Sequence, residues 1–360
     1  MTASLSTIAP ARIESAPAPM WTHLHRLSDD TGLFEHARNS IVRREHGYCV
    51  DDVGRGLLVV SREPAPDPGL LHLADVYLGY LNHAQAPDGR FRNRLSHGRV
   101  WSGEPDTGDW WGRALWGLGT AAACCEASWI REEALAAFEQ GAGQRSEWPR
   151  AMAVAGLGAA EILRAHPGHP AAAALLADAA AAVGTPGPDP SWEWPDPVLT
   201  YANAALAEVV VAAGDLLGDP LLLGSGLRML RWLIGAQTRA DGRLSMIPVA
   251  GWRQGTPRGL FDQQPIEVAH LADACATAAE ITGDDFFENA LGACVAWFLG
   301  ENDGEVVMYD PRSGGGYDGL TPIGPNRNQG AESTIAFIAT MQHARALATR
   351  NAIRASGGAP

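Results

Sequence analysis

Positive charge is scarce in this sequence. Its 27 Lys and Arg residues stand against 41 Asp and Glu residues, a formal net charge of −14. A basic face able to hold nucleic acid or an anionic membrane is therefore not expected. Long apolar runs are also missing: none approaches the roughly 20 residues that a membrane helix needs. The N-terminus lacks the basic start and apolar core of a secretion signal. No glycine-rich loop ending in Lys-Ser/Thr occurs, which argues against nucleotide hydrolysis. Cysteines are few, at positions 49, 124, 125, 275 and 294. Their spacing suits neither a disulfide framework nor a metal site, and Cys124-Cys125 falls in an apolar helical run. We expect free thiols, no metal, no cofactor and a reducing cytoplasm. Tyrosine is sparse as well, with 6 residues against 12 tryptophans. Trp101, Trp110, Trp111, Trp192, Trp194 and Trp252 lie in polar stretches, where core packing alone does not account for them.

Apolar residues make up 46% and charged residues 19%, enough for a sizeable core. Residues 1–20, rich in Ala, Pro, Ser and Thr, are expected to be a disordered leader, and residues 351–360 a disordered tail. Residues 21–350 then form one domain. Helical signals recur throughout it, near 51–62, 69–84, 109–124, 128–141, 147–164, 170–183, 200–216, 219–236, 264–282, 284–299 and 329–349. A shorter helix is predicted near 33–42. Leu222, Leu223, Leu227, Leu230, Leu233 and Ile234 follow helical spacing. Pro149, Pro170, Pro220 and Pro265 fall in first turns, where a missing N–H is harmless.

The links alternate in character. Gly218-Asp219-Pro220 and Gly283-Asp284 are very short. Stretches 85–108, 185–199, 237–263 and 300–328 are long and rich in Gly, Trp, Asp, Asn and Arg. Two long links share a pattern: Gln85 to Phe91 carries Asp88-Gly89-Arg90, and Gln237 to Leu244 carries Asp241-Gly242-Arg243. Such repetition means stacked helical units. Short links on one side and long polar links on the other describe an all-α fold, an (α/α)6 toroid with one functional rim.

Five constellations stand where a long loop enters a helix. They are His46-Gly47-Tyr48-Cys49-Val50-Asp51-Asp52, Gly108-Asp109-Trp110-Trp111-Gly112-Arg113, Ser191-Trp192-Glu193-Trp194 ahead of Tyr201 and Asn203, Phe261-Asp262-Gln263-Gln264-Pro265-Ile266-Glu267, and Asn326-Arg327-Asn328-Gln329-Gly330-Ala331-Glu332. A helix cap uses one carboxylate, so the Asp51-Asp52 pair needs a second explanation. Carbohydrate sites have this composition. Indole faces stack on sugar rings, amides and arginines bond hydroxyls, and two carboxyls act as acid and base across a glycosidic bond.

The stretches Arg44–Arg55, Trp111–Gly119, Phe261–Glu267 and Asn328–Thr334 resemble a bacterial family of six-hairpin, glycosidase-like proteins, often labelled glycosyltransferase- or glycosidase-associated. The resemblance spans roughly residues 29–346 and implies an (α/α)6 toroid acting on carbohydrate. One departure stands out: relatives often carry an acidic residue just before the position of Asp109, where this chain has Gly108.

The expected activity is cleavage of a glycosidic bond, as in an inverting glycoside hydrolase. The pool for the acid and the base is Asp52, Asp109, Asp262 and Glu332, with Asp51, Glu193 and Glu267 next in line. Expected substrate contacts are His46, Tyr48, Asp51, Trp110, Arg113, Trp192, Glu193, Tyr201, Asn203, Gln263, Gln264, Glu267, Asn328 and Gln329. Arg113 or Arg327 would hold phosphate in a phosphorolytic variant. A sugar epimerase or lyase would use His46 or Tyr48 as its base. A further alternative is a non-catalytic glycan-binding partner of a glycosyltransferase. The expected partner is an oligosaccharide or polysaccharide, with no nucleic acid and no membrane.

Overall fold

A computed structural model of the protein describes Ile13 and residues 16–356. Most of the expected leader (residues 1–12, 14 and 15) and the last four residues lie outside the described residues. Twelve α-helices are present among the described residues: α1 Thr22–Leu27, α2 Val50–Ser61, α3 Pro68–Ala84, α4 Asp109–Cys124, α5 Ser128–Ala142, α6 Pro149–Ala165, α7 Pro170–Val183, α8 Asn203–Leu216, α9 Pro220–Gln237, α10 Pro265–Thr282, α11 Asp285–Phe298 and α12 Ala331–Ala355. None is long and apolar enough to cross a membrane.

The even-numbered helices form an inner ring in which each touches the next, from α2 round to α12 and back to α2. Each carries an outer partner: α3 on α2, α5 on α4, α7 on α6, α9 on α8, and α11 on α10. The sixth pair is made across the sequence, because α12 takes α1 as its partner. The architecture is the (α/α)6 toroid expected from the alternation of links.

Two local features differ from expectation. The helix predicted near 33–42 is a small hairpin instead, β1 Ala37–Arg38 paired antiparallel with β2 Ile41–Val42. Asn39 turns it with φ 50°, a left-handed conformation that Asn tolerates better than most residues. Helix α1 has only six residues, too few to show a periodic pattern, and it is held by the burial of His23, Leu24 and Leu27. In addition, α12 continues to Ala355, past the expected boundary at residue 350.

The long loops carry the remaining strands. β3 Tyr48–Cys49, β4 Arg94–Leu95 and β5 Trp101–Ser102 make one three-stranded sheet. β6 Val198–Leu199 pairs with β7 Trp252–Arg253, and β8 Gly319–Thr321 with β9 Gly324–Asn326. The repeated Asp-Gly-Arg segments are true structural equivalents. In each, the glycine N–H closes a turn, Gly89 onto Ala86 and Gly242 onto Arg239. Asp88 and Asp241 each accept the N–H two residues on at 3.1 Å. Phe91 and Leu244 are then buried.

Glycine sets the spacing of the first inner helices. A Cβ on Gly117 of α4 would stand 2.3 Å from the Gly54 carbonyl oxygen of α2, and one on Gly119 would stand 2.3 Å from that of Gly158 in α6. Backbone therefore meets backbone along this arc. Deeper in the ring lies a buried ionic group. Arg62 donates to Asp273 of α10 at 2.7 Å and to Glu161 of α6 at 3.2 Å. His343 of α12 bonds Asp273 at 2.6 Å, and the Arg62 guanidinium lies 5.7 Å from the Trp116 ring of α4.

Candidate active site

Inner helices α2, α4, α8, α10 and α12 all begin at one end of the ring, and none is capped by its own N-cap side chain. Outer helices α3, α7, α9 and α11, by contrast, are capped by Asp67, His169, Asp219 and Asp284. The inner starts surround a cavity of about 520 Å³, a size suited to a small ligand. Carboxylates at such starts also meet the positive end of the helix dipole.

The segment Arg44–Arg55 builds one wall. A 3-10 turn at Arg44–His46 leads into β3, and α2 then presents Asp51, Asp52 and Arg55 to the cavity. Both oxygens of Asp52 are engaged, Oδ1 by Arg55 Nη1 at 2.8 Å and Oδ2 by the Cys49 thiol at 3.1 Å. Burial nevertheless pushes its pKa up to about 7, against the attraction of Arg55. Arg55 also reaches Glu332 of α12 at 3.0 Å, linking two inner helices through one guanidinium. The Asp51 side chain makes no hydrogen bond to protein among the described residues. Burial raises its pKa although Arg55 and Arg113 oppose the shift.

On the neighbouring inner helix stands Asp109, the first residue of α4, whose Oδ2 accepts the Tyr201 hydroxyl at 2.6 Å. Burial and the Asp109 carboxylate push the Tyr201 phenol up to about 12. A Cβ on Gly108 would lie 2.4 Å from the Trp110 ring, so a side chain there would require the indole to move. One turn on, buried Arg113 donates to His270 Nε2 at 2.7 Å and makes no salt bridge among the described residues. Burial, with the nearby charge of Arg55, brings its pKa down to about 10. Burial and Arg113 hold His270 well below the usual imidazole range, so the acceptor on Arg113 is neutral.

Four further wall residues, Glu35, His36, Arg94 and Asp318, were not foreseen from sequence. Glu35 and His36 come from the loop after α1, and Arg94 from β4 holds Glu35 with both guanidinium nitrogens. Asp318 and Asn326 come from the β8–β9 hairpin, with Asp318 accepting the Gly330 N–H at 2.8 Å. Asn326 opens a constellation already singled out in the sequence, and Arg55 carried a usable signal because it stands three residues after Asp52 on the same helix. Glu35, Cys49 and Asp52 bring one donor atom each within 4.8 Å of one another, the geometry of a cation site. Both carboxylates are already held by arginines, which a cation would have to displace.

Of the residues expected at the site, Asp51, Asp52, Asp109, Arg113, Tyr201, Gln264 and Glu332 line the cavity. The others do not. Asp262 is exposed outside it, because the loop turns there before α10. Trp192 and Trp194 are buried rather than displayed, packed with Trp232 of α9 and Trp252 of β7. The loop brings its own indoles into a satellite core, so polar neighbours in sequence misled. Trp110 is half-buried, its Nε1 donating to the Phe91 carbonyl at 2.7 Å. Glu193 is half-buried beside them.

Tyr48 is buried with its hydroxyl on Asp29, and His46 stands outside, edge-on to His36. Gln263 is consumed by structure: its amide donates to Leu260 O, and its oxygen accepts from Met246 N and Trp297 Nε1. Gln329 accepts from Ser313, and Asn328 from the Asn39 N–H. Asn203 and Glu267 bond each other behind the cavity wall.

No family model matches the chain, and no curated protein matches its sequence significantly. Solved structures do match. A sugar epimerase from a ruminal bacterium superposes with TM-score 0.67 at 13% identity, over 90% of this chain and 95% of that one. Cellobiose 2-epimerase from Bacillus thermoamylovorans gives 0.66 at 12%, over 90% and 96%. A metagenome-derived glycoside hydrolase family 9 endoglucanase gives 0.56 at 13%, over 87% and 70%. These similarities establish the fold as the (α/α)6 toroid of six-hairpin glycosidase-like proteins.

Proposed function

We propose that this chain is a carbohydrate-active enzyme that cleaves a glycosidic bond with carboxyl groups of the central cavity. The observation that carries this reading is the contrast between Asp51 and Asp109. Asp51 is a carboxyl whose pKa burial raises and whose side chain has no hydrogen-bond partner among the described residues, the character wanted of a proton donor to a leaving oxygen. Asp109, at the start of the neighbouring inner helix, has one oxygen fixed by Tyr201 and the other without a protein hydrogen bond among the described residues, suited to activate water. Asp52, with both oxygens engaged, fixes Arg55 and through it Glu332. Arg113, held by a neutral imidazole, offers its remaining donors to substrate hydroxyls, or to phosphate in a phosphorolytic variant. An inverting course needs room for a water between acid and base, and the anomer first released reports it directly.

A second reading, epimerisation or isomerisation of a sugar, is favoured by His36. This cavity histidine takes the place expected of His46 or Tyr48 as a base, and the structural likeness to sugar epimerases supports the same reading. One screen separates the two. Purified protein is incubated with defined oligosaccharides, with and without phosphate, and products are resolved by anion-exchange chromatography. Released sugar, abolished by Asp109→Asn, is the expected result. A changed epimer without release favours the second reading. Tight binding without turnover overturns both in favour of a glycan-binding partner of a glycosyltransferase.

A further inference from the structure

Helix α8 begins without a cap of its own, just after Ala202, which has φ 48° and ψ 35°. A side chain disfavours this left-handed conformation, so something outside the turn must hold it. That role falls to Glu267 in the first turn of α10. Its Oε1 accepts the Ala202 N–H, and its Oε2 accepts Asn203 Nδ2 at 3.1 Å. Asn203 closes the turn on the other side, accepting the Thr200 N–H at 3.0 Å and donating to the Thr200 carbonyl at 3.2 Å.

Glu267 is only 4% exposed and makes no salt bridge among the described residues. A carboxylate buried in this way is costly unless its hydrogen bonds compensate. All of its side-chain hydrogen bonds go to this one turn. Burial pushes its pKa up to about 7 even so. The turn carries one functional group. Tyr201, itself 44% exposed, reaches Asp109 at 2.6 Å. Arg150 of α6 steadies it, donating to the Tyr201 carbonyl at 2.7 Å with its guanidinium 5.1 Å from the ring centre.

We propose that Glu267 is a positioning residue: by holding the backbone of Ala202 and Asn203, it sets the turn that lays the Tyr201 hydroxyl on Asp109. The inference rests on the reading that Asp109 works on substrate, but its geometry is testable without any turnover.

The test uses full-length protein labelled with 3-fluorotyrosine, with the Tyr201 resonance identified by its loss in Tyr201→Phe. In wild type this phenol should stay protonated at a pH where free fluorotyrosine is half-ionised. In Glu267→Ala its ionisation should shift towards the free value, by the part that the Asp109 contact contributes beside burial, and Glu267→Gln, which keeps one acceptor for Ala202, should fall between. An unchanged titration in Glu267→Ala overturns the proposal whether or not a sugar is ever turned over. If Glu267→Ala fails to fold, an unchanged titration in Glu267→Gln does so instead.

Once a substrate is in hand, Tyr201→Phe should lower kcat/KM about tenfold or more, the size of a lost hydrogen bond to a charged group. Glu267→Ala should match it alone and add less than about twofold in the Tyr201→Phe background. Fully multiplying effects would mean that Glu267 acts by another route, and would refute the proposal.

Discussion

Replacing Arg62 by Met tests whether charge pairing holds the deep end of the ring together. Arg62 is the shared donor to Asp273 and Glu161, and its side chain is 16% exposed. Methionine fills similar space but leaves Asp273 with only His343 and Glu161 with only Arg164, 3.3 Å away. Breaking a buried pair from one side costs about 3–5 kcal/mol. The unfolding entropy of a chain this long converts about 0.7 kcal/mol into one degree, so Tm should fall by about 4–7 °C.

The pH dependence gives the sharper check. In wild type, burial works against the charge on Asp273, but Arg62 and His343 hold its carboxyl well below the usual range. A group depressed in the folded state contributes stability above its unfolded pKa and loses it only as pH falls through the folded value. Wild type should therefore keep this contribution at pH 5. Without Arg62 burial dominates, the carboxyl rises, and folding takes up a proton. The deficit of the variant should thus shrink between pH 7 and pH 5 in scanning calorimetry. Arg62→Met combined with Asp273→Asn should recover part of the lost Tm at pH 7. A deficit under about 2 °C, or one independent of pH, would show that packing rather than charge closes this end.

Other expectations concern the cavity and the loops. Asp51→Asn and Asp109→Asn should each lower kcat about a hundredfold to ten-thousandfold with folding retained, whereas Asp262→Asn should stay within a few-fold; the same assay on all three decides whether the cavity is the site. Asp52, raised to about 7 by burial, gives stability that is full below the ordinary carboxyl range and lost as pH rises through about 7. Thermal melts of Asp52→Asn should accordingly lose less stability than wild type between pH 5 and pH 8, and parallel curves would contradict the shift. Trp192→Ala should lower Tm by several degrees while leaving glycan affinity unchanged, because the indole is buried against Trp232 and Trp252. A selective loss of affinity in isothermal titration would return it to the binding surface.

The ring was legible because its links alternate between short and long, because α9 carries clear helical apolar spacing, and because Pro149, Pro170, Pro220 and Pro265 mark true first turns. The entry points of α2, α4 and α12 were legible too, and with them Asp51, Asp52, Asp109 and Glu332. What could not be read was long-range. Glu35, Arg94 and Asp318 reach the cavity from short strands and turns whose pairings no local pattern announces. Whether Trp192 faces water or another indole depends on Trp232, 40 residues on. Glu267 looked like a ligand contact for the same reason: a carboxylate at a helix start reads alike whether it meets a substrate or a neighbouring backbone.

The glycine contacts among α2, α4 and α6 bear on how such a chain diversifies over generations. Any side chain at Gly54, Gly117, Gly119 or Gly158 would drive two helices apart, so the spacing between the stations of Asp51 and Asp109 is closed to gradual adjustment. The loops after α3, α7, α9 and α11 have close glycine contacts of their own, at Gly89, Gly251 and Gly316, but between those points they can change length without moving the inner helices apart. A lineage built on this ring is free to change what it admits while the interval between its acids stays fixed. New preferences should therefore be recorded in loop length, and directed evolution that spares the four glycines should reach them first.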